Sequence, residues 1–245
     1  MSDGLLFVHA FPLDARMWDA QVRSFSGSLP VVAPHLPGFG GSPPAGEAMT
    51  MDAAAERCLE AMDAAGVERA VVCGLSMGGY VTFAIRGRAP ERVIGLALAN
   101  TRAGADAPEG AAGRRALAER LRTEGSDFLV AEPPPLLSEG APTELMEAVR
   151  AAIAEQPAEA IAAASLGMAE RPDRTGELPS IDVPTLVVTS EGDRLIPASV
   201  SSPMAAQIPG AELLTIPDAG HLSNLEAPEA FERGISGLLA RCGLA

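Results

Sequence analysis

The chain has 245 residues, a formal net charge of −14, 47% hydrophobic residues and only 4% aromatic ones. That length and apolar content can bury one sizeable α/β core, which excludes wholesale disorder. The acidic balance, whose plainest use is solubility, argues against nucleic acid and anionic lipid surfaces as partners. Three cysteines, Cys58, Cys73 and Cys242, are odd in number and unpaired in spacing. They speak against a disulfide framework or a cysteine zinc site, and for a reducing compartment.

Residues 5–9 begin the chain's pattern as an apolar strand ending at His9. The run has no basic leader and is too short for a signal core, and no stretch approaches a transmembrane span. A cytoplasmic protein is the expectation. Residues 14–25 read as a helix and 31–33 as a second strand, set between Pro30 and Pro34. Proline suits an edge, so this strand is expected at the sheet's margin. Thr50 or Asp52 can cap a helix running to Gly66, with Ala55, Cys58, Leu59, Met62 and Ala65 as its buried stripe. Residues 70–75 give a third strand, 77–88 its helix, and 93–99 a fourth strand. Strands at 185–189 and 211–216 and a helix at 227–240 close the pattern. The alternation predicts a mostly parallel sheet with helices on both faces. Residues 101–180 break the rhythm, with helical stretches near 112–130 and 143–168 around Pro133-Pro134-Pro135. They are too long for an ordinary loop and read as a helical insertion over the strand ends.

Between the third strand and its helix stands Gly74-Leu75-Ser76-Met77-Gly78. A serine on a sharp strand-to-helix turn is held out as an exposed nucleophile, and the flanking glycines let backbone pass close to it. A serine alcohol needs a base to take its proton and a group to orient that base. His9, His35 and His221 all fall at strand ends, so position alone does not choose among them. Only His221 follows Ser76 in the order nucleophile, acid, base. The acid should follow an intervening strand: Asp193 does, with Asp106 the runner-up, whereas Asp182 precedes its strand. An oxyanion needs two fixed N–H donors, for which Met77 at the helix start and Phe11 in the loop after the first strand are the candidates.

His9-Ala10-Phe11-Pro12-Leu13, Leu36-Pro37-Gly38-Phe39-Gly40-Gly41-Ser42, Gly74 through Gly78, Asp193 and Gly220-His221-Leu222-Ser223-Asn224-Leu225-Glu226 together resemble the α/β-hydrolase fold enzymes. The resemblance covers nearly the whole chain outside 101–180. It is nearest to the esterase and enol-lactonase group, 3-oxoadipate enol-lactonases included. Met77 is also common in the cofactor-free perhydrolase and haloperoxidase relatives. The resemblance implies a core of residues 1–100 and 181–245 under a helical cap of 101–180. It further implies a sheet of about six strands, lacking the family's first hairpin. Two departures stand out: Ala10 replaces the usual glycine after the first histidine, and His35 stands where the family usually has aspartate.

The expected reaction is hydrolysis of a small carboxylic ester or lactone through an acyl-enzyme, with no metal or organic cofactor. Rival readings are carbon–carbon bond hydrolysis or perhydrolysis on the same three side chains, or a receptor-like module with slow turnover. Candidate pocket residues are Ala10, Trp18, Arg102, Phe128, Met146, Met168 and Leu222. For Trp18 the competing reading is packing against the first strand. For Phe128, Met146 and Met168 it is ordinary core. Arg114, Arg115, Arg120 and Arg122 could meet a substrate carboxylate, but pairing with Glu119 or Glu124 on a solvated helix is the plainer expectation.

Overall fold

A computed structural model describes residues 2–244. Six strands form one all-parallel sheet: β1 (Ser2–Val8), β2 (Val31–Val32), β3 (Val67–Leu75), β4 (Val93–Ala99), β5 (Thr185–Ser190) and β6 (Glu212–Ile216), in the order β2-β1-β3-β4-β5-β6. β3 is buried from Ala70 to Leu75, the continuous apolar run expected of a strand covered on both faces. The two edges look different. β2 is two residues long and pairs only with β1, as its flanking prolines predict, and β6 leaves Leu213 45% exposed.

Outside the stretch between β4 and β5, five helices accompany the sheet. They are α1 (Asp19–Phe25), α2 (Met51–Ala64), α3 (Met77–Arg88), α8 (Ala198–Gln207) and α10 (Pro228–Arg241); α9 (Ser223–Glu226) is a single turn. A 3-10 turn, Ala15–Trp18, precedes α1 and accounts for the first half of the helix expected there. Thr50 caps α2 by accepting the Ala53 N–H at 3.1 Å. The α2 stripe is shifted from the expected one: Met51, Ala54, Ala55, Cys58 and Met62 are buried, while Ala65 is exposed at the helix end. α8 was not legible, because Pro203 stands inside it and removes one helical hydrogen bond.

Between β4 and β5 the regular structure is all helical, joined by irregular segments: α4 (Pro108–Glu124), α5 (Asp127–Ala131), α6 (Thr143–Ala154), α7 (Ala158–Ala169) and a 3-10 turn, Thr175–Ser180. The expected long helices are each divided. Gly125, at φ 78°, ends α4, and Pro157, which has no N–H, separates α6 from α7. α4 lies along α7, where Ser165 Oγ donates to the Arg114 carbonyl at 2.9 Å. Among the described residues no helix is long and apolar enough to cross a membrane.

The parallel register aligns the strands' carboxyl ends, pairing Val8 with Gly74, Leu75 with Ala99, and Ser190 with Ile216. Chain order reverses between β1 and β3. A parallel sheet opens a crevice outside the strand ends at such a reversal.

Candidate active site

Ser76 sits at that crevice, between β3 and α3, with φ 57° and ψ −114°. Such a conformation costs a non-glycine residue about 1–3 kcal/mol and persists only where its surroundings enforce it. Here they do. Ser76 N–H donates to Ala99 O at 2.9 Å, and Ser76 O accepts from Gly79 N–H at 2.9 Å and from Thr101 Oγ1 at 2.8 Å. A Cβ at Gly74 would overlap the Gly78 carbonyl, and one at Gly78 would overlap the Val8 carbonyl. Gly79, which sequence reasoning did not single out, is held to glycine by Thr101.

The loop after β5 carries Asp193 and the loop after β6 carries His221, both buried. The structure brings them together: His221 Nδ1 lies 2.8 Å from Asp193 Oδ2. Asp193 Oδ1 accepts the Leu195 and Ile196 N–H groups, each at 2.9 Å, which locks the carboxylate's orientation. Burial pushes this carboxyl up. The hydrogen bond and charge of His221, with the donors at Ile196 and Asn100, outweigh it and hold Asp193 below its ordinary value. Asn100 Nδ2 adds a 2.9 Å bond to Oδ2.

The histidine loop is tied down from outside as well. Glu226 Oε1 accepts Gly220 N–H at 2.8 Å, and Glu226 Oε2 takes the Ser138 hydroxyl at 2.5 Å. Leu222 N–H donates to Leu136 O at 2.9 Å. Neither Glu226 nor Ser138 carried a sequence signal beyond its place in or near a motif, since the bond spans 88 positions.

The other two histidines have structural duties. His9 Nε2 accepts Leu36 N–H at 3.0 Å, so the ring proton is on Nδ1, 3.1 Å from Ala10 O. Complete burial pushes His9 down to about 4, against smaller raising effects of Ala10 and Asp14. In the unfolded chain the imidazole takes a proton near 6.5, so between about 6.5 and 4 only the unfolded state gains one. Stability is therefore full above 6.5 and falls as pH drops through that window, by about 3 kcal/mol in all. Thermal melts at pH 7.5 and 4.5 check this: His9→Gln is expected to lose less Tm between the two than the parent chain. His35 accepts the Ala15 N–H at 3.3 Å and its ring fills the space beside Gly40, where a Cβ would overlap it.

In the loop after β1, Ala10 N–H is spent on Met17 Sδ at 3.2 Å and Leu13 N–H on Ala10 O at 3.0 Å. Pro12 has no donor. Phe11 N–H is not committed to any acceptor among the described residues. Met77 N–H, in the first turn of α3, has no acceptor within its own helix.

Asp106, the runner-up acid, has its carboxylate engaged with arginines, whereas His221 Nδ1 pairs with Asp193. It is gripped by Arg102 and by both terminal nitrogens of Arg171 at 2.8 Å, and by Arg114 at 2.5 Å. Burial pushes its carboxyl up, but the hydrogen bonds of Arg171 and Arg114 hold it well below the usual carboxylate range. Arg114 thus pairs with Asp106 rather than with a helix glutamate, while Arg120 pairs with Glu124 at 2.9 Å.

The expected pocket residues do not surround one cavity. Trp18 is fully buried in the core, stacked on Phe7 at 4.7 Å and close to Phe231. Ala10 and Leu222 are also fully buried. Met168 is buried against Arg114, and Arg102 is committed to Asp106. Phe128 lies under the Arg120 guanidinium, and Met146 is 38% exposed. A cleft of about 390 Å³ opens instead between α6 and the loop after β1, walled by Leu13, Met17, Leu145, Val149, Ala152 and Leu225. Among the described residues no three His, Cys, Asp or Glu side chains are grouped to hold a metal ion.

Comparison with known proteins agrees with this architecture. The profile of the alpha/beta hydrolase family matches residues 5–233. A thermophilic esterase from Thermogutta terrifontis is 41% identical, with a TM-score of 0.93 over 99% of this chain and 92% of that one. The enol-lactonase from Burkholderia xenovorans LB400 is 28% identical, with a TM-score of 0.87 over 98% and 92% of the two chains. The acetyltransferase component of an acetoin cleaving system from Pseudomonas putida is 29% identical over 97% of this chain, which spans 63% of that longer protein. The chain belongs to the alpha/beta hydrolase family, in its esterase and enol-lactonase group.

Proposed function

We propose that this protein is a serine hydrolase of small carboxylic esters or lactones, working through an acyl-enzyme. The observation that carries the reading is the buried 2.8 Å contact of His221 Nδ1 with Asp193 Oδ2, at the same rim of the sheet as the strained Ser76. His221 Nε2 takes the Ser76 proton as Oγ attacks the substrate carbonyl. Asp193 fixes the imidazole tautomer and stabilises the imidazolium. The Phe11 and Met77 N–H groups hold the oxyanion, with the α3 dipole in support. The alcohol leaves with the proton from His221. A water molecule then gives its proton to His221 and attacks the acyl carbonyl, releasing the acid and restoring Ser76. For a lactone the leaving alcohol stays attached to the acyl group. Residues 101–180 act as a cap over a core of 1–100 and 181–245.

A fluorophosphonate probe tests the proposal. It is expected to add its mass to the peptide containing Ser76, and to block hydrolysis of p-nitrophenyl butyrate in step with labelling. Labelling elsewhere with activity lost, or full labelling with activity intact, would overturn the assignment.

A further inference from the structure

Asn100 follows β4 directly, with φ 44°, and its side chain is fully buried. Asparagine tolerates this left-handed conformation, and so would glycine or aspartate. Backbone geometry alone therefore does not explain the choice. The side chain's hydrogen bonds do. Nδ2 donates to Ser190 Oγ at 2.7 Å and to Asp193 Oδ2 at 2.9 Å, and Oδ1 accepts from Ser223 Oγ at 2.6 Å. An ionised carboxylate only accepts, so the NH2 end of the amide must face Asp193. Ser190 Oγ, having accepted from Asn100, donates onward to Gly220 O at 2.5 Å. One amide thus braces the acid loop directly and the histidine loop on both flanks of His221, through Gly220 and through Ser223. Its neighbours in sequence, Ala99 and Thr101, both hydrogen-bond to the Ser76 backbone.

We infer that Asn100 is a positioning residue for the reaction. Its Nδ2 holds Asp193 Oδ2 on His221 Nδ1, and its network keeps the acid and base loops in register with the serine turn. The inference rests on the proposed roles of Ser76, Asp193 and His221. Further charged groups stand at these loops: Glu191 and Asp218 within them, Glu226 on Gly220 N–H, and Arg194 paired with Glu139. None of these hydrogen-bonds to the Asn100 side chain.

Asn100→Asp is the decisive variant. It keeps the size, the tolerance of positive φ and the acceptor for Ser223, and it loses both donors. Asn100→Gly keeps the backbone conformation and removes the whole amide, which guards against misfolding by the paired carboxylates. A hydrogen bond to a charged group at this position sets the scale. Each variant is expected to lose about tenfold to a hundredfold in kcat on p-nitrophenyl butyrate, with KM held within about threefold. The downfield proton resonance of His221 Nδ1–H is expected to shift or broaden in both. If Asn100→Asp keeps the parental kcat while Asn100→Gly does not, the residue only fills space and the inference is overturned. Loss of kcat with an unchanged His221 resonance overturns it too. The resonance is read without substrate. If Ser76→Ala left hydrolysis intact, the functional proposal would fail, while the resonance would still decide the case of Asn100.

Discussion

Ser76→Ala is expected to lower kcat for p-nitrophenyl butyrate by about 10⁵ to 10⁶-fold, the scale seen when a nucleophile that works as a unit with its base is removed. KM should change little, because the side chain contributes one oxygen to the site and that oxygen forms bonds only as the reaction proceeds. Stability should hold as well. Alanine has the same Cβ as serine, so the φ 57° turn costs it a similar amount. The hydrogen bonds that enforce the turn run through backbone atoms of residue 76 and survive the change. A steady-state assay beside a thermal melt checks both halves. A fall of less than about tenfold in a folded variant would mean that another group attacks the carbonyl.

Asp193→Asn is expected to cost about 10⁴-fold in kcat, and the local hydrogen bonds explain why so small a change is so expensive. The two N–H groups of Leu195 and Ile196 point at Oδ1, so the amide oxygen of the variant must take that position. Its NH2 then occupies the place of Oδ2. There it faces His221 Nδ1 and the Asn100 NH2 at once. His221 must present a lone pair on Nδ1 and carry its proton on Nε2, the wrong tautomer for accepting a proton from Ser76. The donors of residues 193 and 100 meet with no acceptor between them. The matched control is Asp106→Asn, whose carboxylate is engaged with three arginines. It should lose stability but keep kcat within about threefold. Reversal of those two outcomes would reassign the acid.

Legibility in the sequence followed the range of the forces involved. The β3–Ser76–α3 turn could be read because its determinants lie within a dozen residues: a β-branched run, two glycines and a helix-forming stretch. The edge position of β2 followed from Pro30 and Pro34 for the same reason. Asp193 and His221 were nominated by order along the chain, and their 2.8 Å contact joins loops 28 residues apart. What escaped were side chains whose partners are remote. The bond from Asn100 to Asp193 spans 93 positions and that from Ser223 to Asn100 spans 123. Arg171, one of the chief partners of Asp106, sits 65 residues from it. For the lone Trp18, packing against the first strand is the favoured reading over the pocket, and Phe7 and Phe231 around it bear that out. α8 failed for a different reason, since local propensity at Pro203 pointed away from helix and packing on β5 and β6 prevailed.

The clasp formed by Glu226 has an implication for anyone reshaping this protein. Its carboxylate holds Gly220 with one oxygen and Ser138 with the other, and Leu136 receives the Leu222 N–H. Residues 136–138 belong by sequence to the stretch between β4 and β5 and by bonding to the histidine loop. A transplant of the entire stretch from a relative would import a new binding surface and simultaneously unfasten the base. Chimeras that exchange α4 to α5 or α6 to α7 while leaving 136–138 in place should retain turnover where wholesale grafts do not. Under the proposed function, recognition and chemistry are therefore not interchangeable parts in this chain, because they share a seam three residues long.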